Sequence, residues 1–325
     1  GGPGFHACYS PVSLEEWIGA FAAKGVKPNF FSIYADYRQR EEIEGGGVRA
    51  TLSTDPDALR KLCQQARRCL RRYFSSVPLY VTEWNSISLS HIPVAYSRYQ
   101  AAFVIKSLLE LDQVCDLSAY TMLTDINQGG GAFQKNRLDR FLSGPGMVSP
   151  EEIPMPAYYA YREYRGLGSA VISRGRNYVF IRREEDNYQL VTYHYDHFRA
   201  ESDPEIRDAS DFDKLYRIFP VQSPVRIDFM VLGLTPGLYV VDRTMIDEFS
   251  SNFMDVLIRE YEHSDIDKIA FLQRIKGENM RNHEEITQRT IPERRRIYFN
   301  SKGELHLESI LSAHAVCVWN FRRQL

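Results

Sequence analysis

The feature that most constrains this chain is a change of period near residue 169. Before it, short apolar runs alternate with amphipathic helical stretches; after it, the pattern becomes one of short alternating strands. Asn29–Tyr34 and Pro78–Glu83 are apolar enough to be strands covered on both faces, and Asp116–Leu123 reads as a further one. Between them lie the helices. Ser13-Leu14-Glu15-Glu16 has the form of a capping box, with Leu14, Trp17, Ile18 and Phe21 following at helical spacing. Thr54-Asp55-Pro56 opens a helix that runs to about Tyr73, with Thr54 or Asp55 as cap and Pro56 in the first turn. Residues 94–111 form a long apolar helix, and Pro156–Tyr164 a short one. Strands alternating with helices in this way specify a parallel sheet. Two units are expected, residues 1–168 and 169–325.

In the second unit, Tyr178–Arg183 and Tyr188–Tyr195 read as one strand pair. Val225–Leu232 and Leu238–Thr244 read as another, joined through Thr235-Pro236-Gly237. Arg296–Phe299 and Glu304–Leu311 flank an Asn300-Ser301-Lys302-Gly303 turn, and Ala315–Phe321 closes the set. Two helices, about 249–262 and 265–276, are inserted in this antiparallel domain.

Composition excludes several classes. Lys and Arg number 40 against 42 Asp and Glu, so no net field favours nucleic acid or an anionic membrane as partner. No apolar run approaches the roughly 20 residues that span a bilayer. Five cysteines, an odd number with no Cys-x-x-Cys pair, suit reduced, mostly buried thiols in a cytoplasmic protein. The opening Gly1-Gly2-Pro3-Gly4 reads like the interior of a longer chain. The arginine stripe Arg60, Arg67, Arg68, Arg71 and Arg72 fits a solvated helix face. The long glycine-bearing loop over 127–155 suggests a lid or an insertion. Gly45-Gly46-Gly47 and Gly129-Gly130-Gly131 lack the Lys-Ser/Thr of a phosphate loop and read as loop tips.

The sharpest local feature is Val81-Thr82-Glu83-Trp84-Asn85-Ser86. It sets a carboxylate at the C-terminal end of a buried parallel strand, where β/α barrels place their reactive groups. A carboxylate there can attack an anomeric carbon, an adjacent aromatic can lie against a sugar face, and an Asn can bond sugar hydroxyls. The plainer alternative is a strand-end Glu that caps a helix or pairs with an Arg. His194 and His197 stand three apart on a predicted strand and so face opposite sides; they read as β-domain surface rather than a metal pair. No metal and no cofactor is expected.

Leu79-Tyr80-Val81-Thr82-Glu83-Trp84-Asn85-Ser86 resembles the nucleophile segment of glycoside hydrolase family 39, the β-xylosidases and α-L-iduronidases. The resemblance continues in order along the chain. Gly1–Gly4 is similar to the family's Gly-Gly-Pro-Ala strand, Asn29–Tyr34 to its Asp-Phe-Ile-Ser-x-His-x-Tyr strand, and Tyr120–Ile126 to its Tyr-Trp-Thr-Phe-Ser-Asp-Ile strand. Pro156–Tyr161 resembles its Lys-Pro-Ala-Tyr-x-Ala-Phe helix, and Leu311–Val316 its closing Leu-x-Pro-His-Glu-Val strand.

The resemblance implies an α/β fold: the strand 5–8 half of a (β/α)8 barrel, then an antiparallel, β-sandwich-like domain. It implies Glu83 as nucleophile of a retaining mechanism on a β-linked, xylose-type sugar, with Trp84, Asn85, Tyr34, Tyr120 and Asp125 shaping the sugar pocket. The chain departs from the pattern in places. It has no Asn-Glu-Pro segment, where the family carries its acid/base Glu; Thr121 stands where a Trp is expected; and Asn127-Gln128 replaces an acidic pair. These departures also admit a second reading: a non-catalytic sugar-sensing domain, like related bacterial barrels fused to an AraC-type helix-turn-helix unit. Carbohydrate is the expected partner in both readings, with homo-oligomers expected if the open sheet edges pair.

Overall fold

The computed structural model describes residues 4–6, 11–43, 47–86, 93–124, 146–149, 152–199, 209–220, 223–279 and 291–324. The first part is built on a four-stranded, all-parallel sheet of β1 (Gly4–His6), β2 (Phe31–Ala35), β5 (Leu79–Trp84) and β6 (Leu117–Tyr120), in that spatial order. Helices α1 (Pro11–Ala23), α2 (Ala58–Tyr73) and α3 (Arg98–Leu111) connect successive strands, and α4 (Pro156–Arg165) packs on α3. The apolar runs become parallel strands with one well-buried face: Phe31 and Ile33 of β2 and Leu79 and Val81 of β5 are all buried, while the alternate residues Tyr80 and Thr82 of β5 are only half-buried. Helix α3 is buried on nearly every face and lies in the middle of the packing.

A hairpin of β3 (Arg38–Ile43) and β4 (Gly47–Leu52), absent from the sequence expectation, grows from the C-terminal end of β2. Gly47, read as part of a loop tip, begins its second strand. Helix α2 starts later than expected. Its first residue is Ala58 and its N-cap Asp57, while the Asp55 carboxylate accepts the Asp57 amide at 3.0 Å in the turn before it.

The second part is a six-stranded antiparallel sheet, in the order β12-β11-β14-β9-β8-β7, covered on one face by a two-stranded ribbon of β10 and β13. Its strands are β7 (Ala170–Gly175), β8 (Tyr178–Glu184), β9 (Asn187–Tyr193), β10 (Val225–Leu232), β11 (Gly237–Ile246), β12 (Glu293–Ser301), β13 (Glu304–Leu311) and β14 (Val316–Arg323). Helices α5 (Phe253–Glu262) and α6 (Lys268–Asn279) join β11 to β12.

Two expected hairpins are corrected here. β10 pairs with β13 and not with β11, and β12 pairs with β11 and not with β13. The cause lies in the one-sided apolar pattern of β10, whose Ile227, Phe229 and Val231 point one way. Such a strand must lie on a second layer, and it covers Phe180, Leu190, Tyr239, Trp319 and Phe321 of the sheet. The turns at Gly233–Pro236 and Lys302-Gly303 therefore move the chain between layers. They are tied to each other by the Gly233 and Leu234 amides, which both donate to the Gly303 carbonyl at 2.9 and 3.0 Å.

The opposite face of the sheet joins the helical part. One apolar cluster runs from Leu14 and Ile18 through Phe31, Val81 and Phe103 to Val179, Val191 and Val318. The histidines expected on the surface are buried at this junction. His194 Nε2 donates to the Asp196 carboxylate at 2.9 Å, and His197 is held by the Ser53 carbonyl and the Tyr195 hydroxyl. Among the described residues no cluster of His, Cys, Asp or Glu could hold a metal ion, and no helix is long and apolar enough to cross a membrane. Cys63, Cys69, Cys115 and Cys317 are free thiols, three of them buried; Cys8 lies outside the described residues.

Candidate active site

In a strand, side chains alternate between faces, so Leu79, Val81 and Glu83 would share the buried face of β5 if the ladder were regular. They do not. Ile33 of β2 pairs with Val81 and the next residue, Tyr34, pairs with Glu83, so β5 holds one residue more than its neighbour. On the other side, Val81 pairs with Ser118 and Trp84 with Tyr120, again leaving one extra residue on β5. This bulge centres on Thr82 and Glu83, and it re-aims the side chains at the end of the strand. Thr82 and Glu83 both stand on the open face, Glu83 exposed, while Trp84 drops back into the core with Leu79 and Val81. The bulge is thus what brings the carboxylate out of the helical layer at the C-terminal end of the strand.

Tyr34 lies beside Glu83 in register and half-buried. Its hydroxyl lies over Gly4 of β1, where a Cβ would come within 2.2 Å of it, so the glycine makes room for the ring. Trp84 is 1% exposed and sits edge-on to Tyr120 at 5.2 Å, with Phe103 of α3 at 5.9 Å. In this position its face is turned to protein and not to solvent.

Asn85 is likewise buried. Its amide nitrogen donates to the Thr121 carbonyl, and its oxygen accepts from the Ser86 amide at 2.7 Å and from Gln100 Nε2 at 2.8 Å. The Thr121 amide donates to the Trp84 carbonyl at 3.0 Å, joining the ends of β5 and β6. Tyr120, half-buried, receives Gln100 Nε2 on its hydroxyl at 2.9 Å.

The structure therefore gathers Glu83, Tyr34 and Tyr120 at one end of the sheet and sets Trp84 and Asn85 beneath them. Asp125 lies outside the described residues, as do Asn127, Gln128, Gly129-Gly130-Gly131 and most of the 127–155 loop. Sequence reading missed Gln100 and Ser86. A signal for Gln100 existed: it is an amide in the first turn of a long helix rich in apolar residues, a place where a polar group persists only with partners.

The comparisons with known proteins agree with this geometry. The sequence profile described as "Glycosyl hydrolases family 39" matches residues 1–191. A β-xylosidase from Geobacillus stearothermophilus is 24% identical over 189 residues, covering 55% of this chain and 36% of that protein. Among solved structures, a family 39 enzyme from Xanthomonas axonopodis pv. citri superposes with a TM-score of 0.74 at 16% identity, over 99% of this chain and 60% of that one. A monomeric β-xylosidase from Caulobacter crescentus gives 0.72 at 17% identity, over 99% and 61%. This chain spans about three fifths of the length of those two structures. With its parallel sheet, its antiparallel sheet and a profile match over more than half its length, the chain belongs to glycosyl hydrolase family 39.

Proposed function

We propose that this chain is part of a retaining β-glycosidase of the β-xylosidase type, with Glu83 as nucleophile. In this reading β1, β2, β5 and β6 are the strand 5–8 half of a (β/α)8 barrel within residues 1–168, and residues 169–325 form a sandwich-like domain. The observation that carries it is the bulge that turns Glu83 onto the open face at the C-terminal end of β5, the end where barrel enzymes assemble their sites. The β-xylosidase among the relatives supports the sugar class.

Glu83 attacks the anomeric carbon, the bond to the leaving oxygen breaks, and a glycosyl ester forms that water then hydrolyses. Tyr34 and Tyr120 border the sugar, with Asp125 as a further polar group. Trp84 and Asn85 act from below, by holding the strand ends. A retaining enzyme also needs a second carboxyl about 5–5.5 Å from the first, and the chain holds no Asn-Glu-Pro segment to supply it. Thr121, in place of an aromatic platform, supports a second reading: a sugar-binding barrel without turnover.

Mass-spectrometric labelling with 2-fluoro glycosides bearing a dinitrophenyl leaving group separates the two. That group departs without protonation, so no acid is required. The expected result is a 2-fluoro-α-xylosyl ester on Glu83, formed with inversion from the β-xyloside, that is absent from Glu83→Gln. No adduct from any sugar, with saturable binding of a free sugar, would establish the binder and overturn the nucleophile.

A further inference from the structure

We infer that Gln100 is the positioning residue of this site: its amide pins the bulged end of β5 to β6 and so keeps Glu83 on the open face. The inference rests on the reading of Glu83 proposed above, but its central observation is independent of it.

Gln100 is fully buried in the first turn of α3, between Tyr99 and Ala101, both fully buried as well. A buried amide is costly unless every polar atom finds a partner, and a Leu or Met of similar volume would pack there without that demand. All three of its polar functions are in use. One Nε2 hydrogen goes to Asn85 Oδ1 at 2.8 Å and the other to the Tyr120 hydroxyl at 2.9 Å, while Oε1 accepts from Ser86 Oγ at 2.5 Å. The sense of this network is dictated by the backbone. The Ser86 amide can only donate, so Asn85 Oδ1 must face it; the Thr121 carbonyl can only accept, so Asn85 Nδ2 must face that. Asn85 Oδ1 therefore requires a donor from Gln100, which a Glu of the same shape lacks when ionised.

The placement is what links the network to the reacting group. Asn85 and Ser86 lie just beyond the bulged residues, and Tyr120 is the partner of Trp84 on the neighbouring strand. The amide thus bridges the two strands across the point where β5 carries its extra residue. If that register relaxed to plain alternation, Glu83 would turn toward the helical layer. Gln100 itself stands on a fixed base. Two residues earlier, Arg98 donates to the Ala313 carbonyl at 2.9 Å and pairs with Asp255 at 2.6 Å. A positioned group needs such support to hold its geometry.

The test is made on the full chain with Gln100→Leu and Gln100→Glu, the second preserving shape while removing the donor. Hydrogen exchange of the peptides covering 79–86 and 117–124 is followed beside that covering 31–35, together with the rate constant and affinity of labelling by the 2-fluoro β-xyloside. Both variants are expected to exchange about tenfold faster at the two strand ends, as for one lost buried hydrogen bond, with 31–35 unchanged. The labelling rate constant is expected to fall about tenfold at unchanged affinity for the reagent.

Exchange that rises equally across the sheet would make Gln100 an ordinary core residue. Exchange that does not rise, wild-type behaviour of Gln100→Glu, or a loss expressed in reagent affinity alone would equally overturn the inference. If the wild-type chain takes no label, the reading of Glu83 as nucleophile fails, and the exchange pattern still decides whether Gln100 pins the strand end.

Discussion

Asn85 and Glu83 stand two residues apart, yet their substitutions should behave in opposite ways. The Glu83 side chain is exposed on the open face, so Glu83→Gln should change stability by less than about 0.5 kcal/mol while removing any labelling. Asn85→Ala removes a group that satisfies the Ser86 amide, the Thr121 carbonyl and Gln100 at once. It should cost on the order of 3 kcal/mol, read as a lower urea midpoint at unchanged slope. A second residue sets a pH dependence. His197 donates from Nε2 to the Ser53 carbonyl at 2.8 Å and accepts at Nδ1 from the Tyr195 hydroxyl at 2.7 Å, and burial holds its pKa down to about 4. A histidine free in the unfolded chain titrates near 6.5. The folded state is thus the poorer proton acceptor, and the stability this group contributes is complete above about 6.5 and lost as pH falls toward 4. Between pH 7 and pH 5 the loss should be about 2 kcal/mol. Unfolding at the two pH values, compared with His197→Gln, isolates it: the variant should lack that part of the slope. At this scale the sequence was readable where a residue's chemistry stood out. Glu83 at a strand end did so. The burial of Trp84 and the partnership of Gln100 did not, because both depend on one extra residue in a ladder, and pairing register cannot be read from one strand alone.

Among elements, the parallel strands and their helices were legible because each is a long run of a single period. Strand pairing in the second part was not. A turn rich in Gly and Pro reads the same whether it closes a hairpin or carries the chain between layers, and only the one-sided pattern of β10 hinted at the latter. The element contact with the clearest consequence joins the start of α3 to α5. Arg98 pairs with Asp255, whose carboxylate also receives the Tyr216 hydroxyl at 2.6 Å and the Asn252 amide. Burial pushes the Asp255 carboxyl up to about 6 even beside the arginine. Removing one partner leaves the other charged in a dry site and should cost about 3–5 kcal/mol, whereas replacing both with apolar side chains should recover most of it. Arg98→Met, Asp255→Leu and the double variant form the cycle, measured by urea unfolding. If the double variant costs the sum of the singles, the two residues act separately and α5 does not brace α3.

For the whole molecule, the decisive property is where its sheets end. Among the described residues, the parallel sheet has β1 at one edge and β6 at the other, and β6 presents Leu117 at 47% exposure. A strand at an edge offers unpaired amides and carbonyls to any chain that can match them, and parallel sheets are normally covered on both faces. The antiparallel sheet differs. One of its edges, β12, carries Arg294, Arg295 and Arg296, which repel a second copy of the same strand. Residues 1–325 on their own should therefore associate through the parallel sheet. Sedimentation velocity over a range of concentrations should show a weight-average mass that rises above the 37.7 kDa of one chain. Leu117→Lys, which places a charge on the exposed β6 edge, should move the distribution back toward the monomer, while Arg295→Ser should not. A chain that stays monomeric at every concentration would mean that its own segments already cover β1 and β6. The half-barrel arrangement would then lose its physical basis, since a sheet with closed edges has no place for further parallel strands.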